Sequence, residues 1–124
     1  MWLRYTGNPT QNITRDCAIR AVAVALDISW EKSFTLLAAM AFQMGEVLDS
    51  DLVSGAVLRQ HGFTKHLAPD CEGCYTVKQF CKEYPRGTYV LKTDGHVVAV
   101  VDGDYIDVWD SGTEPVLYYW KKEN

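Results

Sequence analysis

The sequence Cys17-Ala-Ile-Arg-Ala-Val-Ala-Val-Ala-Leu26 decides much of the fold. A helix that is apolar on nearly every face belongs in the interior of a domain, so this stretch predicts a buried helix. Asp16, directly before it, is a residue type favoured at helix N-caps. The stretch spans ten residues and contains Arg20, whereas a transmembrane helix needs roughly 18 or more apolar residues. We therefore predict a central, buried helix that begins at Cys17.

The rest of the chain divides into further helices and a strand-rich end. Apolar residues at helical spacing predict three more helices. Their start and stop signals are Ser29 and Gly45, Asp49 or Ser50 and Gly62, and Thr76 and Pro85. From Gly87 onward, β-rich runs separated by two Asp-Gly turns predict an antiparallel meander of about four strands, the last over 116–120. Because helices precede strands without a linker or repeat, we predict one α+β domain over residues 1–124, with an N-terminal helical layer on a C-terminal antiparallel sheet.

The composition excludes several classes of protein. The 124 residues are 48% hydrophobic and 23% charged, which is typical of a globular domain. The net charge is −4 and the longest basic run is Lys121-Lys122, so we expect no nucleic-acid partner. The start, Met1–Gln11, lacks the apolar segment of a secretory signal. We therefore expect a cytoplasmic protein without a membrane partner, and the sequence leaves its oligomeric state open.

Cys17 and His96 are the first candidates for chemistry. The N–H groups and the positive end of the dipole at a helix start favour a thiolate and lower its pKa. His96 begins an apolar strand directly after a turn, so its ring is expected at a strand end, within reach of a helix start. A base that takes the proton of a thiol is what a thiol hydrolase needs. The alternatives are a small core cysteine and an ordinary strand-end histidine.

The acid that would orient His96 depends on the length of the turn at residues 102–104. If these form a three-residue loop, Asp110 lies opposite His96 with its side chain on the same face. A two-residue loop shifts the pairing by one residue, which puts Trp109 opposite His96 and makes Asp107 the neighbouring acid. We favour the longer loop and Asp110.

An oxyanion donor is the remaining requirement of such a site. Gln11 lies six residues before Cys17, on the segment that leads to its helix. A side-chain amide there, together with the backbone N–H of Cys17, is suited to stabilise a developing oxyanion. Asn12 is the alternative donor.

With these features, the chain resembles the papain-like cysteine peptidases in two segments. The first is 11–25, with a Gln, a six-residue step and a Cys that starts the central helix. The second is 96–112, with a His, an apolar strand, a Gly turn, and an acid followed by Ser111. The chain is also similar to small bacterial and phage papain-fold proteins, through the motifs Asp16-Cys17…Arg20-Ala21, Gly95-His96 and Trp109-Asp110-Ser111.

The resemblance implies a reduced papain-like fold with a Cys-His-Asp triad. Carried over residue by residue, it makes Cys17 the nucleophile, His96 the general base, Asp110 the orienting acid and Gln11 the oxyanion donor. The implied activity is cleavage or transfer at an amide bond through a thioacyl intermediate, without a cofactor. The implied substrate is a peptide, a protein or a peptidoglycan-derived amide.

Two other functions remain open at this stage. One is a non-catalytic binding or adaptor module that retains the papain-like scaffold. The other is a small zinc-binding domain, because Cys71-Glu-Gly-Cys74 has a metal-knuckle spacing and His61, His66 and Cys81 lie nearby in sequence. We interpret that segment as a Gly-containing loop with two thiols and predict no metal there.

Overall fold

The computed structural model of the chain describes residues 1–12, 14–69 and 74–123. Within these residues, four helices and a six-stranded mixed sheet are present, which confirms the α+β class. In chain order the elements are β1 (Trp2–Arg4), α1 (Cys17–Leu26), α2 (Trp30–Met44), α3 (Asp51–Gln60), β2 (Phe63–Leu67), α4 (Val77–Glu83), β3 (Thr88–Thr93), β4 (His96–Val101), β5 (Asp104–Asp107) and β6 (Tyr118–Lys122). No helix in this described part of the chain is long and apolar enough to cross a bilayer.

The helices begin and end where their sequence signals predict. Ser29, Ser50 and Thr76 each accept a hydrogen bond from a backbone N–H in the first turn of the helix that follows. These bonds satisfy donors that have no partner inside the helix. Gly45 ends α2 in the left-handed conformation, with a φ of 69° that glycine adopts without steric cost.

The strands follow the predicted meander, with additions at both edges of the sheet. Their order is β1-β5-β4-β3-β6-β2, and every neighbouring pair is antiparallel except β1 and β5. The prediction of a purely antiparallel sheet is therefore wrong, because β1 adds a parallel strand at one edge. β1 and β2 lie outside the predicted meander, and β6 covers 118–122 rather than 116–120.

Helices cover both faces of the sheet. Along β3, Val90 packs into a core with α1, α2 and α3, whereas Tyr89 and Leu91 pack into a second core with α4. This alternation follows from the two-residue period of a strand. α1 lies in the first core, and most of its residues are buried, as predicted. The predicted helical layer thus covers one face, and α4 covers the other.

The turn between β4 and β5 differs from the one that we favoured from the sequence. Val101 pairs with Asp104, so the loop contains only Asp102 and Gly103. Both have positive φ, 48° and 80° respectively, which is the backbone signature of a type I′ hairpin turn. The register that requires a three-residue loop is therefore wrong.

Candidate active site

The structure brings the side chains of Cys17 and His96 together. α1 begins at Cys17, whose thiol is half-buried. The thiol lies near enough to the His96 ring and to the backbone N–H of Val97, at the start of β4, for both to lower its pKa. A helix start and a strand end therefore meet at a thiol and an imidazole.

The acid bonded to His96 is Asp107, and the expected pairing with Asp110 is wrong. His96 Nε2 lies 2.6 Å from Asp107 Oδ2. The exposed carboxylate of Asp110 instead accepts hydrogen bonds from the hydroxyl of Tyr105 and, at 3.1 Å, from the backbone N–H of Gly112. Asp110 thus shapes the loop that follows β5.

The two-residue turn is the physical reason that Asp107, and not Asp110, bonds His96. The shorter loop moves β5 by one residue against β4, as in the alternative register described above. Trp109 accordingly packs against His96, with 5.1 Å between ring centroids. With Nε2 bonded to Asp107, the Nδ1 atom of His96 is the ring nitrogen left for Cys17.

The Asp107 carboxylate is buried and has hydrogen bonds on both oxygens. Oδ1 accepts from the backbone N–H of Val108 at 2.8 Å and from the Arg20 guanidinium at 3.1 Å. Oδ2 accepts from the hydroxyl of Ser111 at 2.8 Å, in addition to His96. A buried carboxylate with this many donors stays ionised, as an acid that supports an imidazolium must.

Strand β1, which the sequence analysis missed, holds the backbone of this acid. The carbonyl oxygen of Asp107 accepts the indole N–H of Trp2 at 3.1 Å and the backbone N–H of Tyr5 at 2.9 Å. The signal for β1 is weak, because three residues give little alternation and Gly7 and Pro9 follow closely. The aromatic and apolar residues at the start of the chain are its only sequence signature.

Asp16 occupies the N-cap position of α1 without capping it. Its side chain makes no cap hydrogen bond. One oxygen instead forms an ion pair with Arg20, one turn along the helix, and the other accepts the indole N–H of Trp30 at 2.9 Å. Since Asp16 and Arg20 are both buried, this pairing provides the opposite charge that a buried guanidinium needs.

The electrostatics of the site favour an ion pair between the thiol and the imidazole. Burial acts to raise the pKa of Cys17, but hydrogen bonds from His96 and Val97 and the positive charges of His96 and Arg20 outweigh it and lower the pKa. Burial acts to lower the pKa of His96, but its bonds to Asp107 and Cys17 raise that pKa to about 9. Burial acts to raise the pKa of Asp107, but the hydrogen bonds from His96, Ser111 and the backbone N–H of Val108, together with the charge of His96, outweigh it and lower the pKa.

Gln11, the expected oxyanion donor, is engaged within its own loop. Its Nε2 atom donates to the carbonyl of Thr6 at 3.0 Å and to that of Asn8 at 2.7 Å. Both amide hydrogens are therefore used, and the residue holds a positive φ of 55°. Asn12, the alternative, is exposed, and its carbonyl accepts a bond from the side chain of Asn8 at 3.3 Å.

A cavity of about 110 Å³, lined mostly by residues of polar type, lies on the Asp16 and Arg20 side of the site. Arg20 contributes to its wall from α1 and Asp16 from the position before that helix. Val108 contributes from the residue after Asp107, and Gln11 and Asn12 contribute from the loop. The cavity therefore borders both the helix that carries the thiol and the strand end that carries the acid.

The other sequence candidates lie elsewhere or outside the described residues. Cys71 is outside them, so the predicted Cys71-to-Cys74 loop as a unit is not described. Burial in the α4 core raises the pKa of Cys81 to about 11. His61 bonds the carbonyl of Val57 at 2.8 Å, and His66 stacks on Tyr119. Over residues 1–12, 14–69 and 74–123, no three His, Cys, Asp or Glu side chains are grouped as metal ligands.

Comparisons with protein-family models, with curated proteins and with solved structures each find no match to this chain. The functional interpretation therefore depends on the chemistry of the site itself.

Proposed function

We propose that this protein is a thiol hydrolase with Cys17 as nucleophile, His96 as general base and Asp107 as orienting acid. The observation that carries the proposal is the 2.6 Å bond between His96 and Asp107, on a ring that also interacts with the half-buried thiol of Cys17. Nucleophile, base and orienting group in this order form a catalytic triad. We further propose that the domain is a reduced papain-like cysteine hydrolase, in keeping with the resemblance of its two segments.

The proposed reaction cleaves or transfers an amide in two steps. The Cys17 thiolate attacks the carbonyl carbon, and His96 gives its proton to the leaving amine as the C–N bond breaks, which leaves a thioacyl enzyme. Water then attacks the thioester while His96 takes a proton from it, and the C–S bond breaks. Cys17 leaves as a thiolate beside a protonated His96, which restores the ion pair.

The oxyanion of each step needs donors near Cys17. The first N–H groups of α1 have no acceptor inside the helix, so the N–H of Cys17 is one donor. Gln11 becomes a second donor only after its amide leaves the carbonyls of Thr6 and Asn8. Asn12 is the alternative in the same loop.

We propose an amide of a peptide, a protein or a peptidoglycan fragment as the substrate. An amide fits because a protonated His96 supplies the proton that a leaving amine requires. A cytoplasmic location stays a prediction.

An activated ester tests the thioacyl step without knowledge of the natural substrate. With p-nitrophenyl acetate, we expect an acetyl group on Cys17 in the intact-mass spectrum, followed by continued release of p-nitrophenolate as the thioester is hydrolysed. Cys17→Ser should abolish both, and His96→Gln should slow both by about 100-fold, within the usual range for a general base. Cys81→Ala, which removes a buried thiol of raised pKa, is the matched control and should behave as wild type.

A non-catalytic binding module is the second candidate function. The observation in its favour is the Gln11 amide, both of whose hydrogens are bonded within the loop. Such a module would take up at most a single acetyl group and release no further product. That result, or acetylation of Cys17 that does not depend on His96, would overturn the hydrolase proposal.

A further inference from the structure

Arg20 is a charged residue inside an otherwise apolar helix, and it is 5% exposed. Its guanidinium connects two carboxylates, since one nitrogen binds Asp16 and the other binds Asp107 at 3.1 Å. Asp16 is held in turn by the indole of Trp30 at 2.9 Å. A buried guanidinium with a carboxylate on each side forms a fixed connection between α1 and the end of β5.

This connection reaches the carboxylate that contacts His96. Arg20 binds Oδ1 of Asp107, and His96 binds Oδ2 of the same carboxylate. Because the carboxylate is planar, a contact that fixes Oδ1 also fixes the direction in which Oδ2 points. The planar fork of a guanidinium is well suited to this task, whereas an ammonium group is a point charge without a preferred plane.

We propose that Arg20 is a positioning residue of the thiol site, which turns the Asp107 carboxylate towards His96 through a buried bridge to Asp16. The inference rests on the proposed function, because it assigns Arg20 a part in the Cys17–His96–Asp107 triad. Arg20 acts through Asp107 and does not touch the reacting atoms.

The charge of Arg20 supports the same site. Its positive charge is among the interactions that lower the pKa of Cys17. The described side chains that interact with the His96 ring are Asp107 from β5, Cys17 from α1 and the ring of Trp109. A substitution that keeps the positive charge but loses the planar fork therefore separates the orientation of Asp107 from simple charge.

Arg20→Lys is that substitution, and the imidazole Nε2–H proton of His96 is the reporter. In the wild type, NMR should show this proton downfield and slow to exchange with water, because it is bonded to Asp107. In Arg20→Lys we expect exchange to become about tenfold faster, as when one charge-assisted hydrogen bond weakens. The matched control is Ser33→Ala, which removes a different buried hydrogen bond to α1, from the Ser33 hydroxyl to the carbonyl of Ile19, and should leave the proton unchanged.

A charge-balanced double variant covers the case in which Arg20→Lys does not fold. Asp16→Asn combined with Arg20→Gln removes one charge of each sign, so it adds no net buried charge. It should show the same faster exchange. An Nε2–H proton that keeps its wild-type shift and exchange rate, in whichever of these variants folds, would overturn the inference.

The alkylation rate of Cys17 distinguishes failure of the Arg20 inference from failure of the proposed function. Iodoacetamide should react with wild-type Cys17 at neutral pH faster than with an ordinary thiol. A slow wild-type Cys17 would overturn the proposed function, while the Nε2–H measurement would still decide whether Arg20 orients Asp107. A fast wild-type Cys17 with no change at Nε2–H in Arg20→Lys would overturn only the role of Arg20.

Discussion

At the residue scale, the two acids near His96 have different environments and different expected roles. Asp107 is 1% exposed and bonds His96, whereas Asp110 is exposed and bonds Tyr105 and Gly112. Only a carboxylate bonded to the second ring nitrogen fixes the tautomer of the imidazole and supports its charged form. We therefore expect the reactivity of Cys17 to depend on Asp107 and not on Asp110.

Asp107→Asn should slow alkylation of Cys17 by iodoacetamide at neutral pH by at least about tenfold, which corresponds to one unit in the thiol pKa. The reason is that a neutral amide cannot support the imidazolium that pairs with the thiolate. Asp110→Asn is the matched control and should stay within about twofold of wild type, as expected for an exposed site. Equal effects of the two substitutions, or a larger effect of Asp110→Asn, would contradict the assignment of Asp107.

The sequence pattern brings Cys17 and His96 together, as the structure does, but it does not reveal the partners that tertiary structure gives to Asp16 and Gln11. Asp16 is of a residue type favoured at N-caps, yet its carboxylate pairs with Arg20 and Trp30. Gln11 has the expected spacing, but its amide bonds the loop. In both cases the side chain is bonded to a buried charge or to a backbone carbonyl that the sequence does not reveal.

At the element scale, the β4–β5 turn sets which acid reaches His96. An Asp-Gly pair between apolar runs is the strongest short signal for a two-residue type I′ turn, and the structure has that turn at Asp102 and Gly103. The match of Trp109-Asp110-Ser111 with the family pattern favours Asp110, whereas this turn signal favours the shorter loop. Turn chemistry alone would have predicted Asp107.

Gly103→Ala should destabilise the fold by about 1 kcal/mol, because an L side chain is strained at a φ of 80°. Asp102→Asn is the matched control in the same turn, and it should leave stability within about 0.5 kcal/mol, since Asn adopts positive φ readily. Urea denaturation of the two variants measures both changes. Equal stability of Gly103→Ala and wild type would mean that this turn is not of type I′ in solution.

At the scale of the whole molecule, the sequence predicts the parts that have a strong local pattern. The helices have capping side chains and apolar faces, and the meander has Asp-Gly turns, so their existence and order were predictable. β1 and β2 depend on edge pairing with β5 and β6, which are distant in sequence. The charges at Asp16, Arg20 and Asp107 likewise meet only when α1 packs on the sheet.

The central claim is that Cys17 and His96 form an ion pair supported by Asp107. The most direct measurement is the ultraviolet absorbance of the thiolate as a function of pH, in wild type minus Cys17→Ser. Since the pKa of Cys17 is lowered and that of His96 is raised to about 9, the difference signal should rise with a midpoint below the roughly 8.5 of a free thiol. His96→Gln should move that midpoint upward. A wild-type midpoint at or above the value of a free thiol would contradict the account.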